Sequence, residues 1–180
     1  MNFRSAFQVA GNILLLILVI ALVYVNIAHY VFGHVIIAVV KGHSMLPTLH
    51  EGDVVIILPF KDVSVGDVIV FKNDRDEYVI HRVIAIVTCE DGSKIYITKG
   101  DNNNYVDSIV FGIASRISRT CIAHNITVFN GFDSYVYQAY QNNFARGIPE
   151  ERIIGKVLMF SDMVIRITGM PSLGLNLQNR

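Results

Sequence analysis

Residues 13–32 form one almost unbroken apolar run, and it limits where the rest of the chain can lie. Twenty helical residues rising about 1.5 Å each span about 30 Å, the thickness of a bilayer's hydrocarbon core. The polar members Asn26 and His29 fall near its far end, and Tyr24 and Tyr30 suit an interfacial belt. Arg4 precedes the run, and no Lys or Arg comes after it until Lys41. The positive-inside rule therefore expects a single pass with a cytoplasmic N-terminus and an extracytoplasmic remainder. A cleaved secretory signal is the alternative. Its cut after Ala28 would set Asn26 where a small residue is needed, so an uncleaved anchor is expected. The implied organisation is a stub and anchor over residues 1–33, a folded domain over 34–168, and a flexible tail over 169–180.

Composition agrees: 52% of residues are hydrophobic and only 17% charged, the bias of a membrane-associated chain. The formal net charge is zero, which removes the electrostatic footprint of a nucleic-acid binder. Cys89 and Cys121 lack a metal-like spacing. They read as two separate thiols, with one disulfide open if the domain lies outside the cytosol.

Beyond the anchor the pattern is that of a mainly β fold. Residues 34–40 are apolar and rich in β-branched side chains, and read as a buried strand that delivers Ser44 near the membrane surface. Strands are expected over 54–58, 68–71, 78–87 and 94–98. Turns are marked by Val63-Ser64-Val65-Gly66-Asp67 and Glu90-Asp91-Gly92-Ser93. Residues 108–146 fit less well and read as an insertion without assigned chemistry; 129–144 suit a surface hairpin or a short helix. Asn125-Ile126-Thr127 is a glycosylation sequon. Residues 148–157 read as a last strand returning to the sheet. The apolar stretch 157–167 is broken by Asp162 and Arg166, too soon for a second span.

Chemistry concentrates at Lys41-Gly42-His43-Ser44-Met45-Leu46-Pro47-Thr48. A serine attacks only when a neighbouring base takes its proton. Pro47 biases Leu46 toward an extended conformation, which suits Ser44 at the rim of a strand with its hydroxyl outward. Six histidines are available: His29, His34, His43, His50, His81 and His124. Alternation along the strand expected at 78–87 puts His81 and Val83 on one face, with Ile80, Arg82 and Ile84 on the other. On residue type alone His81 reads rather as a satisfied histidine within a sheet. His43, His50 and Asp53 match no ligand motif, so no metal site is expected.

Four stretches occur in a fixed order. After the serine come Glu51-Gly52-Asp53-Val54-Val55, Gly66-Asp67-Val68-Ile69-Val70-Phe71, His81-Arg82-Val83-Ile84, and Lys99-Gly100-Asp101-Asn102-Asn103 with Asp107 just beyond. Over residues 10–107, with a fainter echo at 148–157, this set resembles the membrane-bound type I signal peptidases. The His-Arg pair is similar to their archaeal and endoplasmic-reticulum form rather than the bacterial Lys-Arg form. The resemblance implies a β-rich catalytic domain behind a transmembrane helix, in an archaeal cell membrane or the endoplasmic-reticulum membrane. It implies a serine endopeptidase that removes signal peptides from secretory preproteins after small residues, without a cofactor. Its surroundings would be the lipid bilayer and export machinery or complex subunits. Ser44 would be the nucleophile and His81 the base. Asp107 is favoured over Asp101 as the carboxylate that orients His81, with Asp101 needed nearby. Val40 and Met45 would line shallow pockets that admit alanine and exclude larger side chains.

The chain departs from the family where Gly42-His43 replaces Ser-Gly before the nucleophile. The missing serine hydroxyl is an oxyanion donor, and one such donor contributes roughly 3–4 kcal/mol. Two other readings fit parts of the pattern. One is a self-cleaving repressor-type protease using Lys72 or Lys99 as base. The other is a non-catalytic β-domain subunit of a membrane complex.

Overall fold

The computed structural model describes residues 3–30, 35–59, 62–109, 116–160, 163–164 and 166–167. The tail expected over 169–180 lies outside the described residues. The chain divides into two compact units, Met1–Ile36 and Ile37–Arg180.

The first unit is one helix, α1, Phe3–Tyr30. Proline is absent from it, and leucine, isoleucine, valine and alanine dominate. At 28 residues it is about 42 Å long. Asn26 satisfies its side-chain amide within the helix, donating to the Leu22 carbonyl at 2.8 Å. Side chains are described without a break over residues 8–24, and Leu14 to Leu18 are all exposed. Among the described residues no helix is long and apolar enough to cross a membrane.

The second unit is mainly antiparallel β. Its strands are β1 (Ile37–Val39), β2 (Val54–Leu58), β3 (Val68–Lys72), β4 (Tyr78–Cys89), β5 (Lys94–Lys99) and β6 (Arg119–Val128). A short helix α2 (Asp133–Val136) precedes β7 (Tyr140–Gln141), β8 (Phe144–Pro149) and β9 (Ile153–Val157). Three two-residue strands close the described chain: β10 (Met159–Phe160), β11 (Met163–Val164) and β12 (Arg166–Ile167). The main sheet runs β1-β2-β9-β3-β4-β5-β8-β6. Because β6 also pairs with β4, the ladder β4-β5-β8-β6 closes on itself. One apolar core, with Ile84, Val87, Ile95, Ile97 and Ala145, belongs to these four strands. A second lies around Ile69, Phe71, Val83 and Tyr96. Valine and isoleucine dominate both, since branched side chains fill the half-buried faces of a pleated sheet.

The sheet differs from the sequence reading in three places. Where a buried strand is expected over residues 34–40, only Ile37–Val39 forms one, and Ile37 and Val39 are 54% and 66% exposed. The cause is position: β1 is the terminal strand, held by β2 alone, and only the following Val40 is buried. The insertion contains both a helical turn and a hairpin, because β6 and β8 complete the closed ladder rather than decorate it. Cys89 and Cys121 are joined in a disulfide, against the expectation of separate thiols. They are 32 residues apart in sequence, and only the pairing of β6 with the end of β4 brings their Cα atoms to 5.8 Å.

Tyr96, on β5, is 1% exposed, and its phenol pKa is pushed up to about 12, by burial first and then by the Glu150 and Asp62 carboxylates. The unfolded phenol ionises near pH 10. Between those two values the unfolded chain has lost a proton that the folded chain keeps. Stability is therefore full below pH 10 and falls by about 1.4 kcal/mol per pH unit above it. Denaturant titrations at pH 9, 10 and 11 check this: the decline seen in the wild type is reduced by that amount in Tyr96→Phe.

Candidate active site

Three segments from distant parts of the sequence meet at Ser44. The first is the chain after β1. Gly42 takes a left-handed φ of 88°, which costs a glycine nothing, and swings the chain out of the strand direction. Ser44 therefore sits in a turn, not at the rim of a strand as expected. Leu46 N–H donates to the His43 carbonyl, Leu49 N–H to the Met45 carbonyl, and the Leu46–Pro47 peptide is cis. The second segment is β4, which carries His81 and Arg82 on opposite faces. The third is the loop that follows β5, residues 100–108.

His81 Nε2 lies 2.9 Å from Ser44 Oγ, and His81 Nδ1 lies 2.7 Å from Asp107 Oδ2. A carboxylate only accepts, so Nδ1 carries the proton toward Asp107 and Nε2 is left to accept from the serine hydroxyl. Asp107 is fully buried and His81 is 3% exposed, while Ser44 remains partly open to solvent. Thr98, on β5, donates its hydroxyl to the same Asp107 Oδ2 at 2.7 Å, and Asp107 N–H donates to the Thr98 carbonyl. The aspartate is thus held from both ends. The edge of the Phe71 ring faces the imidazole, 6.4 Å between centroids.

The two aspartates left open by the sequence part company here. Asp107 meets His81. Asp101 instead receives a two-pronged bond from Arg82, Nε to Oδ1 at 2.8 Å and Nη2 to Oδ2 at 2.7 Å, together with the Thr48 hydroxyl at 2.5 Å. Arg82 spends its remaining arm on the Gly66 carbonyl. Asp101 therefore locks three pieces together: the turn bearing Ser44, strand β4, and the loop leading to Asp107. Thr98, Thr48 and Asn102 were not legible as site residues, since each acts through contacts more than 35 residues away or through a single hydroxyl.

The loop also grips the serine's own backbone. Asn102 N–H donates to the Ser44 carbonyl at 2.8 Å, and its side-chain amide reaches the His43 carbonyl at 3.2 Å. A Cβ on Gly100 would stand 2.6 Å from that Ser44 carbonyl oxygen, so only glycine permits the approach. Among the described residues the Ser44 backbone N–H meets no acceptor. The His43 side chain is exposed and lies 3.7 Å from Glu51.

A cavity of about 270 Å³ adjoins Ser44 and His81. Its walls are mainly aliphatic, from Ala38, Val39 and Val40 on one side and Val70, Val79 and Ile80 on the other. Val40 lines this cavity, whereas Met45 is 1% exposed and belongs to the interior.

The two lysines that a serine/lysine mechanism would need are committed elsewhere. Lys72 lies over the Tyr78 ring at 5.6 Å. Lys99 gives its ammonium to the carbonyls of Gly100, Asp101 and Asn103.

Comparison with known proteins gives the family. The model of the family described as signal peptidase, peptidase S26, matches residues 10–115, a span that includes Ser44, His81, Asp101 and Asp107. The signal peptidase complex catalytic subunit SEC11C of Homo sapiens is 38% identical over 74 residues, covering 39% of this chain and 38% of that protein. The corresponding sec11 subunit of Dictyostelium discoideum is 40% identical over 76 residues, 39% and 41% of the two chains. Signal peptidase I W of Bacillus subtilis is 37% identical over 81 residues, 43% and 42%. The chain spans about two fifths of the length of the curated relatives it matches. With the family model matching more than half of its residues, the chain belongs to the signal peptidase family, peptidase S26.

Proposed function

We propose that the protein is a membrane-anchored serine endopeptidase that removes signal peptides from exported preproteins. The observation that carries this reading is the continuous chain of short contacts Ser44–His81–Asp107 beside an apolar cavity. Ser44 is the nucleophile. As its oxygen attacks the scissile carbonyl, its proton passes to His81 Nε2, and the buried Asp107 carboxylate stabilises the imidazolium that forms. His81 then returns the proton to the departing amine, which leaves as the new N-terminus of the mature protein. A water, activated by the same imidazole, hydrolyses the acyl-enzyme. The Ser44 N–H is the backbone donor for the oxyanion.

Substrate selection depends on the cavity walls. Ala38, Val40 and Val70 present apolar side chains, against which a small apolar side chain such as alanine's can pack. Among the described residues β1 has no strand on its outer edge, so an extended peptide can pair there and lay alternate side chains into the cavity. Helix α1 is the anchor. Over residues 13–24 its exposed side chains are apolar all round, the character of a helix that faces lipid rather than water. Sharing a bilayer with the substrate's own apolar segment raises the effective concentration of the two, as a tether would.

The test is direct. The full chain purified in detergent is incubated with a preprotein carrying Ala at positions −1 and −3. A single cut after the −1 residue is expected, and replacing that Ala by Phe lowers kcat/KM at least about 100-fold. No cut in any detergent or lipid, or equal cutting of the Phe substrate, overturns the reading.

A further inference from the structure

The insertion reaches back onto the loop that carries the site. Lys99 ends β5 and is only 2% exposed. Its ammonium has three hydrogens, and three carbonyls of the following loop take them: Gly100 at 2.8 Å, Asp101 at 3.3 Å and Asn103 at 2.7 Å. The insertion closes over the same cation. The Tyr135 ring centroid lies 4.6 Å from it and that of Phe132 5.6 Å. Phe132 is itself stacked on Phe129 and tilted against Tyr135. Burial pulls the Lys99 pKa down, while the Asp101 and Asp107 carboxylates pull it up and Arg82 adds to the lowering. The ring faces and carbonyls are what make a buried charge tolerable there.

A second contact is independent of the lysine. Val106 N–H donates to Gln138 Oε1 at 3.1 Å, and Gln138 Nε2 donates to the Asn104 carbonyl at 3.2 Å. Loop residues 100–106 are thus held both by Lys99 and by the insertion, and this loop both holds the Ser44 carbonyl and leads directly into Asp107. No strand or helix of its own stiffens it.

We propose that residues 129–138 are a brace that sets Ser44 and Asp107 against His81, with Phe132, Tyr135 and Gln138 as positioning residues acting through Lys99 and the 100–106 loop. The proposal rests on the catalytic reading of Ser44, His81 and Asp107 and gives the insertion a task within it. Without the brace the loop moves as exposed loops do. A misplacement of about 1 Å between reacting groups lowers rate about 100-fold.

The experiment compares Tyr135→Leu and Gln138→Leu with Tyr135→Phe, which restores the ring face, and with Tyr140→Leu. Tyr140 packs on the same core but has its hydroxyl bond to Asn143, away from the loop. Two quantities are read: cleavage of a synthetic peptide with an Ala-x-Ala site, and the NMR resonance of the His81 Nδ1 proton bonded to Asp107. Each Leu variant at 135 or 138 is expected to lower kcat about 10-fold or more with KM within about twofold. In the same variants the Nδ1 resonance shifts or broadens. Tyr135→Phe restores both quantities. Tyr140→Leu lowers the melting temperature alone. Wild-type kcat and resonance in both Leu variants overturn the brace and leave the endopeptidase reading intact. A wild type that fails to cut the peptide while the variants still move the resonance sinks the endopeptidase reading and keeps the brace.

Discussion

Ser44→Ala abolishes cleavage and leaves the protein folded. Ser44 Oγ lies 2.9 Å from His81 Nε2, so its removal takes away the nucleophile that the imidazole would activate. Loss of such a nucleophile costs about 10⁴- to 10⁶-fold in kcat. Stability changes little, because the side chain is partly open to solvent and the bonds that hold this turn come from the backbone: Asn102 N–H on the Ser44 carbonyl, and Leu46 and Leu49 on carbonyls of the turn. The check is a pair of measurements on one preparation, preprotein cleavage and the thermal melting curve. Retained cutting at more than about a hundredth of the wild-type rate places the nucleophile elsewhere.

Asp107→Asn and Asp101→Ala separate two carboxylates that stand six residues apart in one loop. In the proposed mechanism Asp107 serves the reaction, through its contact with His81 Nδ1. An asparagine there still fits, but its amide can present an N–H to His81 Nδ1, which favours the tautomer that cannot accept from Ser44. A loss of about 10⁴-fold in kcat is expected, with the melting temperature little changed. Asp101 contributes to the fold. Its truncation leaves the Arg82 guanidinium, whose side chain is only 10% exposed, without its paired carboxylate. The expected cost is about 3–5 kcal/mol of stability. Activity then falls with the folded fraction and with the looseness of the turn that Thr48 no longer ties down. Matched kcat and melting data for the two variants decide between these roles: a purely catalytic defect in Asp101→Ala and a purely structural one in Asp107→Asn reverse the assignment.

Much of the β domain can be read from alternation and turn chemistry. The strands at 54–58, 68–72 and 94–99 and the hairpin at Glu90-Asp91-Gly92-Ser93 obey local rules, since neighbouring residues decide each of them. The Asp91 side chain, for example, caps that hairpin by accepting from Ser93 N–H and Oγ. The insertion resists such reading for a physical reason. Strand β6 alternates weakly because it pairs with β4 along one part and with β8 along another, and its burial reflects two partners at once. The turn that carries Ser44 escapes it for another reason: set by Gly42, it is a local conformation that strand alternation does not describe.

The amino-acid sequence alone determined the apolar helix, the mainly β character of the domain behind it, and a short set of candidate residues. All of these depend on residue type and on spacings of a few positions. Only the tertiary structure decided which aspartate meets His81, that Arg82 takes the other, that Cys89 and Cys121 bond, and that Phe132, Tyr135 and Gln138 reach the loop before Asp107. Each of those pairings joins residues between 19 and 36 positions apart. Propensity says nothing at such separations. Strand pairing and core packing settle them: the register of β4 against β5 and β6 goes with burial of Ile84 and Val87 in one core and of Val83 in the other.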